Sequence, residues 1–177
     1  MLRLRPTPFL FLLALLQLGL VTGCGSLANV PQGAPVSGPG HKVSVRLLET
    51  RLPDLSGEAH AISDSLGQGR SVALVFWQSW CSSCVEEAPL LATAQRQRAD
   101  RLTVIGVVSG PDKSVNELEL GRIARELDLP YASLRDRELA LTEGLSVTGT
   151  PTIFVIDPAG EIVYRGHQVP ADWDAVL

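Results

Sequence analysis

Hydrophobic and polar positions divide the folded part of the chain into predicted strands and helices. Residues 71–77 and 102–108 are near-continuous apolar runs, as expected of central strands that are covered on both faces. The stretch between them, residues 82–98, has a helical pattern in which Pro89 is expected to kink or restart the helix. A strand, a helix and a strand in this order predict a βαβ unit with parallel strands, and therefore an α/β fold.

Weaker patterns predict the elements on either side of this unit. Val43, Val45 and Leu47 alternate with polar residues, which favours an edge strand in an N-terminal extension, and residues 52–57 have turn chemistry. Downstream, the predicted elements are a helix from a capping box at 114–117 to about 127, a short strand at 131–134, a short helix at 138–143, strands at 152–156 and 161–164, and a last helix from 171.

Two of these downstream predictions have further detail. The helix that ends near residue 127 is expected to bury four side chains, those of Val115, Leu118, Ile123 and Leu127. The last two strands are separated by residues 157–160, in which Asp, Pro and Gly occupy the positions that a type I turn prefers. These strands therefore predict a β-hairpin.

The N-terminus has the pattern of an export signal. Arg3 and Arg5 precede an apolar run at 9–21, which has the length of a signal-peptide core and is short for a membrane span. The run ends in small residues followed directly by Cys24, a pattern that resembles the bacterial lipobox, in which the cysteine is lipidated. An ordinary signal peptide with an incidental cysteine is the alternative.

The region after Cys24 predicts a linker rather than a folded element. Residues 25–40 are rich in Gly, Pro, Ser and Ala and carry no charged side chain. The predicted organisation is a lipoprotein signal peptide at 1–23, a flexible tether at 24–41 and one domain at 42–177. The domain would then lie outside the cytoplasm of a bacterium, anchored to a membrane by lipid.

Composition narrows the classes of function. The 177 residues are 45% hydrophobic and 19% charged, which is compatible with a packed core and argues against global disorder. The formal net charge is −4, and no basic stripe interrupts the folded part. A nucleic-acid partner is therefore not expected.

The candidate chemistry lies where the first central strand meets the helix. Cys81 and Cys84 are predicted in the first helical turn, with their sulfurs close together on one face. The free N–H groups of a helix N-terminus favour the thiolate at Cys81, and a low-pKa thiol beside a second sulfur is suited to thiol–disulfide exchange. The chain has three cysteines, so lipidation of Cys24 would leave Cys81 and Cys84 as the one possible pair. A disulfide between them would close a very small loop and would therefore stabilise the fold little.

Several motifs together resemble the TlpA/ResA-like family of membrane-tethered thiol–disulfide oxidoreductases, which have a thioredoxin-like fold. They are Asp54-Leu55-Ser56-Gly57, Phe76-Trp77-Gln78-Ser79-Trp80-Cys81-Ser82-Ser83-Cys84, Glu87-Ala88-Pro89, Asp136, Gly149-Thr150-Pro151-Thr152, Asp157-Pro158-Ala159-Gly160 and Gly166. The resemblance implies a central mixed sheet flanked by helices, and an enzyme that reduces disulfides of exported client proteins. Such proteins serve cytochrome c maturation or envelope thiol maintenance and receive electrons from a membrane thiol-transfer protein.

The resemblance also implies roles for individual residues. Cys81 is then the exposed nucleophile and Cys84 the buried resolving thiol, while Trp80 covers the disulfide. Pro151 matches the family's cis-proline beside the dithiol. That geometry would leave the Thr150 backbone free to pair with an extended client segment.

Glu87 is the candidate for proton transfer. It lies three residues after Cys84, on the same helical face, and ResA-like proteins have a glutamate at this position. A partly buried carboxylate there could move protons for the resolving thiol. The alternative interpretation is that Glu87 has no role in proton transfer and is present because the helix dipole favours a negative charge near the helix N-terminus.

The sequence departs from the family pattern at two places, and three alternative functions remain open. The pair between the cysteines is Ser82-Ser83, where the family usually has proline second, and the last predicted helix is short for the family. The protein could instead be an oxidant or isomerase, a copper-binding thioredoxin-fold chaperone, or a binding lipoprotein with a vestigial dithiol. The motifs predict no cofactor and no bound metal, since the zinc ligand sets that use Cys-x-x-Cys need a second ligand pair.

Overall fold

A mixed five-stranded sheet forms the centre of the protein. The structure is a computed structural model, and it describes residues 40–177. The strands are β1 (Leu52–Pro53), β2 (Ala59–His60), β3 (Ser71–Phe76), β4 (Leu102–Ser109), β5 (Ser133–Asp136), β6 (Thr152–Ile156) and β7 (Ile162–Gly166). The helices are α1 (Val45–Leu48), α2 (Ile62–Leu66), α3 (Ser82–Gln97), α4 (Glu117–Glu126) and α5 (Ala140–Gly144), with a 3₁₀ turn at Asp112–Ser114.

The topology confirms the central predictions. The large sheet has the order β5-β4-β3-β6-β7, in which β3 pairs parallel to β4 and antiparallel to β6. The hairpin of β6 and β7 forms as predicted, around a turn in which the Gly160 N–H bonds the Asp157 carbonyl at 2.9 Å. Gly160 has a φ of +81°, the left-handed conformation that glycine adopts without a steric cost.

Burial on both faces explains why β3 has no polar alternation. Val72, Leu74 and Phe76 contribute to one hydrophobic cluster, which also contains residues of α1, α2 and α5. Ala73 and Val75 contribute to the opposite cluster, with residues of α3 and of the C-terminal segment. Every residue of β3 is buried, so an unbroken apolar run is what the position requires.

Helix α3 runs through Pro89 without restarting, contrary to one of the two expectations for this residue. Its buried residues are Cys84, Ala88, Leu91, Ala92 and Ala94. These side chains pack the helix against the sheet on both sides of the proline, and tertiary packing outweighs the loss of one backbone hydrogen bond. The cysteine turn is therefore held by a helix of 16 residues.

The N-terminal extension contains strands, but not where the alternation placed them. Residues 45–48 form the short helix α1, capped by the Ser44 side chain, and only Lys42 pairs with Glu161 as an isolated bridge. The alternating pattern was misleading because Val45 is 63% exposed, while the buried side chains of this segment are Val43 and Leu48. The strands of the extension are the antiparallel pair β1 and β2, and β1 lies within residues 52–57, which were expected to form a loop.

The predicted face of α4 was wrong at one position. Asn116, rather than Ser114, caps the helix, and its side chain accepts a hydrogen bond from the Glu119 N–H at 3.1 Å. With the helix beginning at residue 117, Leu120 and Ile123 face the core, whereas Leu118 is 88% exposed. At about 100° per residue, Leu118 lies about 140° around the helix axis from Ile123, so the two side chains cannot share one buried face.

The C-terminal segment also differs from its expectation. No helix forms at residues 171–177; the segment is irregular, with Trp173 and Val176 buried against the α3 side of the sheet. The short strand and helix expected at 131–134 and 138–143 occur one or two residues later, as β5 and α5. Among residues 40–177 no helix is long and apolar enough to cross a membrane. The predicted signal peptide, Cys24 and most of the tether lie outside the described residues.

Candidate active site

The two cysteines lie in the first turn of α3 and are joined by a disulfide. The S–S distance is 2.07 Å and the Cα atoms are 5.2 Å apart. Cys81 is the N-cap residue, and its sulfur accepts a hydrogen bond from the Cys84 N–H at 3.2 Å. A backbone N–H directed at this sulfur would stabilise a thiolate at Cys81 once the disulfide opens.

Both cysteines are buried in this oxidised state. Cys81 is 6% exposed and Cys84 is 4% exposed, so the contrast in exposure expected between nucleophile and resolving thiol is not present in the disulfide form. The two residues pack with Trp77, Val108 and Leu120 in a third hydrophobic cluster. This packing holds the disulfide at the edge of the core.

The loop between β3 and α3 is tied to three neighbouring elements. The Trp77 indole N–H donates to Ser133 Oγ at 3.2 Å, and the Gln78 side-chain amide donates to the Ser109 carbonyl at 2.8 Å. Ser79 Oγ lies 3.5 Å from Glu119 Oε2. These contacts hold residues 77–79, which lead to the disulfide, against the sheet and α4, and Trp77 is buried in the core.

Trp80 is the exception in this loop. Its side chain is 74% exposed, although it immediately precedes Cys81. It contributes nothing to the core clusters, so the structure excludes core packing as its role. An exposed aromatic ring next to Cys81 is available to contact another molecule.

The turn at 149–152 lies at the same end of the sheet as the disulfide. Phe76, the last residue of β3, pairs with Thr152, the first residue of β6, which places Pro151 beside the loop that leads to Cys81. The Thr150–Pro151 peptide bond is cis. Within the turn, Thr152 Oγ1 donates to the Gly149 carbonyl at 2.7 Å.

Thr150 is left without polar partners at this turn. No hydrogen bond among residues 40–177 uses its backbone N–H or C=O. Its side-chain Oγ1 is buried and also has no partner within this part of the chain. An N–H and a C=O without partners in the described chain, on a half-buried residue at the same end of the sheet as the disulfide, offer an edge for an added strand.

Glu87 lies one turn after Cys84, and its carboxylate contacts the C-terminal segment. Its Oε2 accepts a hydrogen bond from the Val169 N–H at 2.7 Å. The nearby Tyr164 has a raised pKa, mainly because the phenol is buried and secondly because of the negative charge of Glu87. The structure therefore gives Glu87 a backbone partner that the sequence did not predict.

Sequence reasoning also missed His167. His167 follows β7 directly, and its Nδ1 lies 2.6 Å from the Pro151 carbonyl oxygen. No local motif marks this contact. The useful signal would have been its position, one residue beyond the strand that pairs with the start of β6.

A buried arginine supports the far side of the site. The Arg135 guanidinium donates to Glu117 at 2.7 Å and to the carbonyls of Val108 at 2.6 Å and Gly110 at 2.9 Å. These bonds secure the segment between β4 and α4, which includes the start of the helix that carries Glu119. Hydrogen bonding by Arg137, aided by its charge, lowers the pKa of Asp112 at the rim of this network.

One cluster among the described residues has metal-ligand chemistry, formed by Asp54, Glu58 and His60. Asp54 Oδ1 already accepts hydrogen bonds from the N–H groups of Ser56 at 2.8 Å and Glu58 at 3.0 Å. Burial opposes ionisation of Asp54, but hydrogen bonds from Ser56, His60 and Glu58 outweigh it and lower its pKa. The carboxylate therefore serves the turn between β1 and β2.

Comparison with known proteins identifies the family. The Redoxin family model matches residues 41–175, which is most of the chain. The chain belongs to the Redoxin family. Within this family, the match to ResA confirms the resemblance to ResA-like proteins.

Three relatives illustrate the relationship. The chain is 30% identical to the thiol-disulfide oxidoreductase ResA of Geobacillus kaustophilus over 112 residues, 63% of this chain and 61% of that protein. It is 31% identical to the thiol:disulfide interchange protein HelX of Rhodobacter capsulatus over 166 residues, 89% of this chain and 85% of HelX. The exposed lipoprotein thioredoxin Etrx1 of Streptococcus pneumoniae superposes with a TM-score of 0.58 at 29% identity, covering 72% of this chain and 93% of Etrx1.

These comparisons confirm the thioredoxin-like fold of this Redoxin member. The curated relatives differ in how much of their length is matched, since the chain spans about three fifths of ResA.

Proposed function

We propose that this Redoxin member is a thiol–disulfide oxidoreductase that reduces disulfides of exported proteins. One observation carries the proposal: the Cys81–Cys84 disulfide lies at a helix N-terminus, at the same sheet end as the unpaired Thr150 backbone. The first feature provides a dithiol that can be oxidised and reduced, and the second provides a place for a peptide. The names of the relatives ResA and HelX support the same activity.

The first step uses the reduced protein. The Cys81 thiolate attacks one sulfur of a client cystine, forms a mixed disulfide and expels the other client sulfur as a thiolate, which takes up a proton. The Cys84 N–H beside the Cys81 sulfur favours the thiolate that the attack requires.

The second step returns the chain to the oxidised state. The Cys84 thiolate attacks Cys81 Sγ, breaks the mixed disulfide and releases the second client thiolate, which is protonated in turn. Two electrons and two protons have then reached the client, and the Cys81–Cys84 disulfide has formed. Glu87 would accept the proton that Cys84 must lose, since it lies one helical turn away.

Client binding is assigned to two features of the surface. The backbone of Thr150 would pair with an extended client segment beside Pro151, as a short added strand. The exposed ring of Trp80 would contact the apolar part of that segment.

Reuse of the enzyme requires a supply of electrons. A membrane thiol-transfer protein would provide them by the reverse exchange on the Cys81–Cys84 disulfide, and no bound cofactor or metal is needed for that chemistry. Within a bacterial envelope, the clients would be proteins of cytochrome c maturation or of general thiol maintenance.

Location follows from the N-terminal pattern. We propose cleavage after residue 23, lipidation of Cys24 and a tether at 24–41 that holds the domain, residues 42–177, outside the cytoplasm. The lipobox-like pattern supports this, and Etrx1 is described as an exposed lipoprotein. Metabolic labelling with a palmitate analogue would mark the wild-type protein and leave Cys24→Ser unlabelled; labelling of both would refute the anchor.

Trapping of clients tests the activity. Cys84→Ser removes the resolving thiol, so mixed disulfides through Cys81 should accumulate in the native envelope, to be released by dithiothreitol. Cys81→Ser is the matched control and should trap none. Equal recovery from both variants, or none from Cys84→Ser, would refute the proposal.

The reduction potential decides between a reductant and an oxidant or isomerase. Equilibration of the dithiol with glutathione measures it. A value near −120 mV, that of DsbA, would indicate an oxidant, whereas a reductant requires a value closer to the −270 mV of thioredoxin.

A further inference from the structure

In the turn at 149–152, which would receive the client, two carbonyl groups accept hydrogen bonds from the protein and a third does not. The carbonyl of Gly149 is bound by Thr152 Oγ1 at 2.7 Å, and that of Pro151 by His167 Nδ1 at 2.6 Å. The carbonyl and the N–H of Thr150, between them, have no partner within residues 40–177. The protein therefore occupies the carbonyl groups on either side of Thr150 and leaves the Thr150 carbonyl available for pairing.

The direction of the Pro151 carbonyl follows from its contact. It points towards the residue that follows β7, since its oxygen meets the His167 ring there. Ile153 pairs with Gly166, the last residue of β7, which places His167 next to the turn. A carbonyl only accepts hydrogen bonds, so Nδ1 of His167 carries the proton in this contact.

His167 is itself held by the segment that follows it. The Tyr164 hydroxyl donates to the Gln168 carbonyl at 2.7 Å, and the Val169 N–H donates to Glu87 Oε2 at 2.7 Å. Residues 167–169 are therefore anchored to both β7 and α3. Through these bonds the turn at 149–152, the proposed client-binding turn, is connected to α3, the helix that begins at the dithiol.

We propose that His167 is a positioning residue, which fixes the Thr150 backbone for pairing with an extended peptide segment of the client. This inference rests on the proposed function and names the class of substrate it concerns: disulfides within polypeptide chains. A small disulfide without a peptide backbone would react at Cys81 without using the turn. His167 therefore contributes to selection of peptide disulfides over small ones.

The test compares two substrates and two substitutions at residue 167. The reduced full-length protein is mixed in single-turnover experiments with a disulfide-bonded peptide and, separately, with 5,5′-dithiobis(2-nitrobenzoate). His167→Ala should raise the half-saturating peptide concentration about fivefold, the effect of losing one ordinary hydrogen bond, while the limiting rate and the reaction with the small disulfide stay unchanged. His167→Asn, whose amide N–H can replace Nδ1–H, should restore the peptide value to within about twofold.

A matched control and a spectroscopic measurement complete the test. His41→Ala removes an exposed histidine that has no contact with the turn, and it should change neither reaction. Imidazole ¹⁵N spectra of the wild type should identify the Nδ1-protonated form of His167. Unchanged peptide binding in His167→Ala, an equal loss for both substrates, or no rescue by asparagine would overturn the inference.

The two proposals fail in different ways. A wild-type protein that reduces neither substrate refutes the proposed function. A wild-type protein that reduces both, together with a His167→Ala variant that is indistinguishable from it, refutes only the positioning role.

Discussion

The two turns at the active end of the sheet are built in opposite ways. The dithiol turn consists of neighbouring residues: Cys81 caps the helix that Cys84 continues, and the bond between them spans three positions. The proposed client-binding turn, residues 149–152, depends on distant residues, since His167 is 16 positions from Pro151. The dithiol is therefore encoded locally, whereas the geometry of the second turn depends on tertiary contacts.

The turns also differ in how fully their polar groups are paired. At the dithiol turn, the Cys81 sulfur and the Cys84 N–H satisfy each other. At the other turn, Thr150 has an unpaired backbone and a buried hydroxyl without a partner in the described chain. A buried hydroxyl without a hydrogen-bond partner costs stability, whereas the half-buried backbone groups remain available to a ligand.

The largest expected effect concerns Glu87, which lies on the helix of the dithiol turn and binds the segment that follows His167. Glu87→Gln keeps an oxygen that accepts the Val169 N–H but cannot titrate, so the resolving step should slow about a hundredfold with little change in stability. Glu87→Ala should slow the same step and also lose about 2 kcal/mol of unfolding free energy, the contribution of a hydrogen bond to a charged group. Rapid-quench kinetics of mixed-disulfide resolution and urea unfolding measure the two quantities.

Glu86→Gln is the control for this prediction, because Glu86 is exposed and adjacent in sequence. It should resemble the wild type in both measurements. If Glu87→Gln resolves mixed disulfides at the wild-type rate, Glu87 is a structural residue and takes no part in proton transfer.

A smaller effect is expected at Thr152, inside the client-binding turn. Thr152→Val keeps the side-chain shape and removes the hydroxyl that donates to the Gly149 carbonyl, so unfolding free energy should fall by about 1 kcal/mol. Looser geometry at the turn should also weaken peptide binding, while the reaction with a small disulfide is unaffected. Thermal unfolding and the two-substrate assay provide the measurements, and a variant as stable as the wild type would contradict the assigned bond.

The smallest effect, and one of opposite sign, is expected two residues earlier. Thr150→Val replaces a buried hydroxyl that has no partner in residues 40–177, so stability should rise by about 0.5–1 kcal/mol. The backbone of residue 150 is retained, and peptide reduction should therefore stay within about twofold of the wild-type rate. A marked loss of peptide reduction would assign client contact to the side chain instead of the backbone.

Errors in the sequence-based prediction occurred where short-range patterns compete. The alternation of Val43, Val45 and Leu47 indicated a strand, yet Ser44 caps a helical turn there. In α4 the competition was between two possible caps, and the Asn116 side chain caps the helix in place of Ser114. Such choices differ by about 1 kcal/mol, which packing elsewhere can reverse.

At the candidate site, the sequence predicted contacts between neighbouring residues but not contacts between residues far apart in the chain. The dithiol was evident from two residues on one helical turn, and Pro151 and Thr150 were identified through family resemblance. The bond from Val169 to Glu87 joins residues 82 positions apart, and the one from His167 to Pro151 joins a strand end to a turn. No periodicity or motif in one sequence encodes such pairs.

The sequence by itself determined the central strands, the helix that follows β3 and the reactive pair Cys81 and Cys84, because hydrophobic period and helix-end chemistry act over a few residues. Only the tertiary structure decided which surface faces that pair. The register of β3, β6 and β7 brings Thr150 and His167 to the same end of the sheet as the disulfide. That register depends on simultaneous packing of both sheet faces, a property of the whole folded chain and of no single segment.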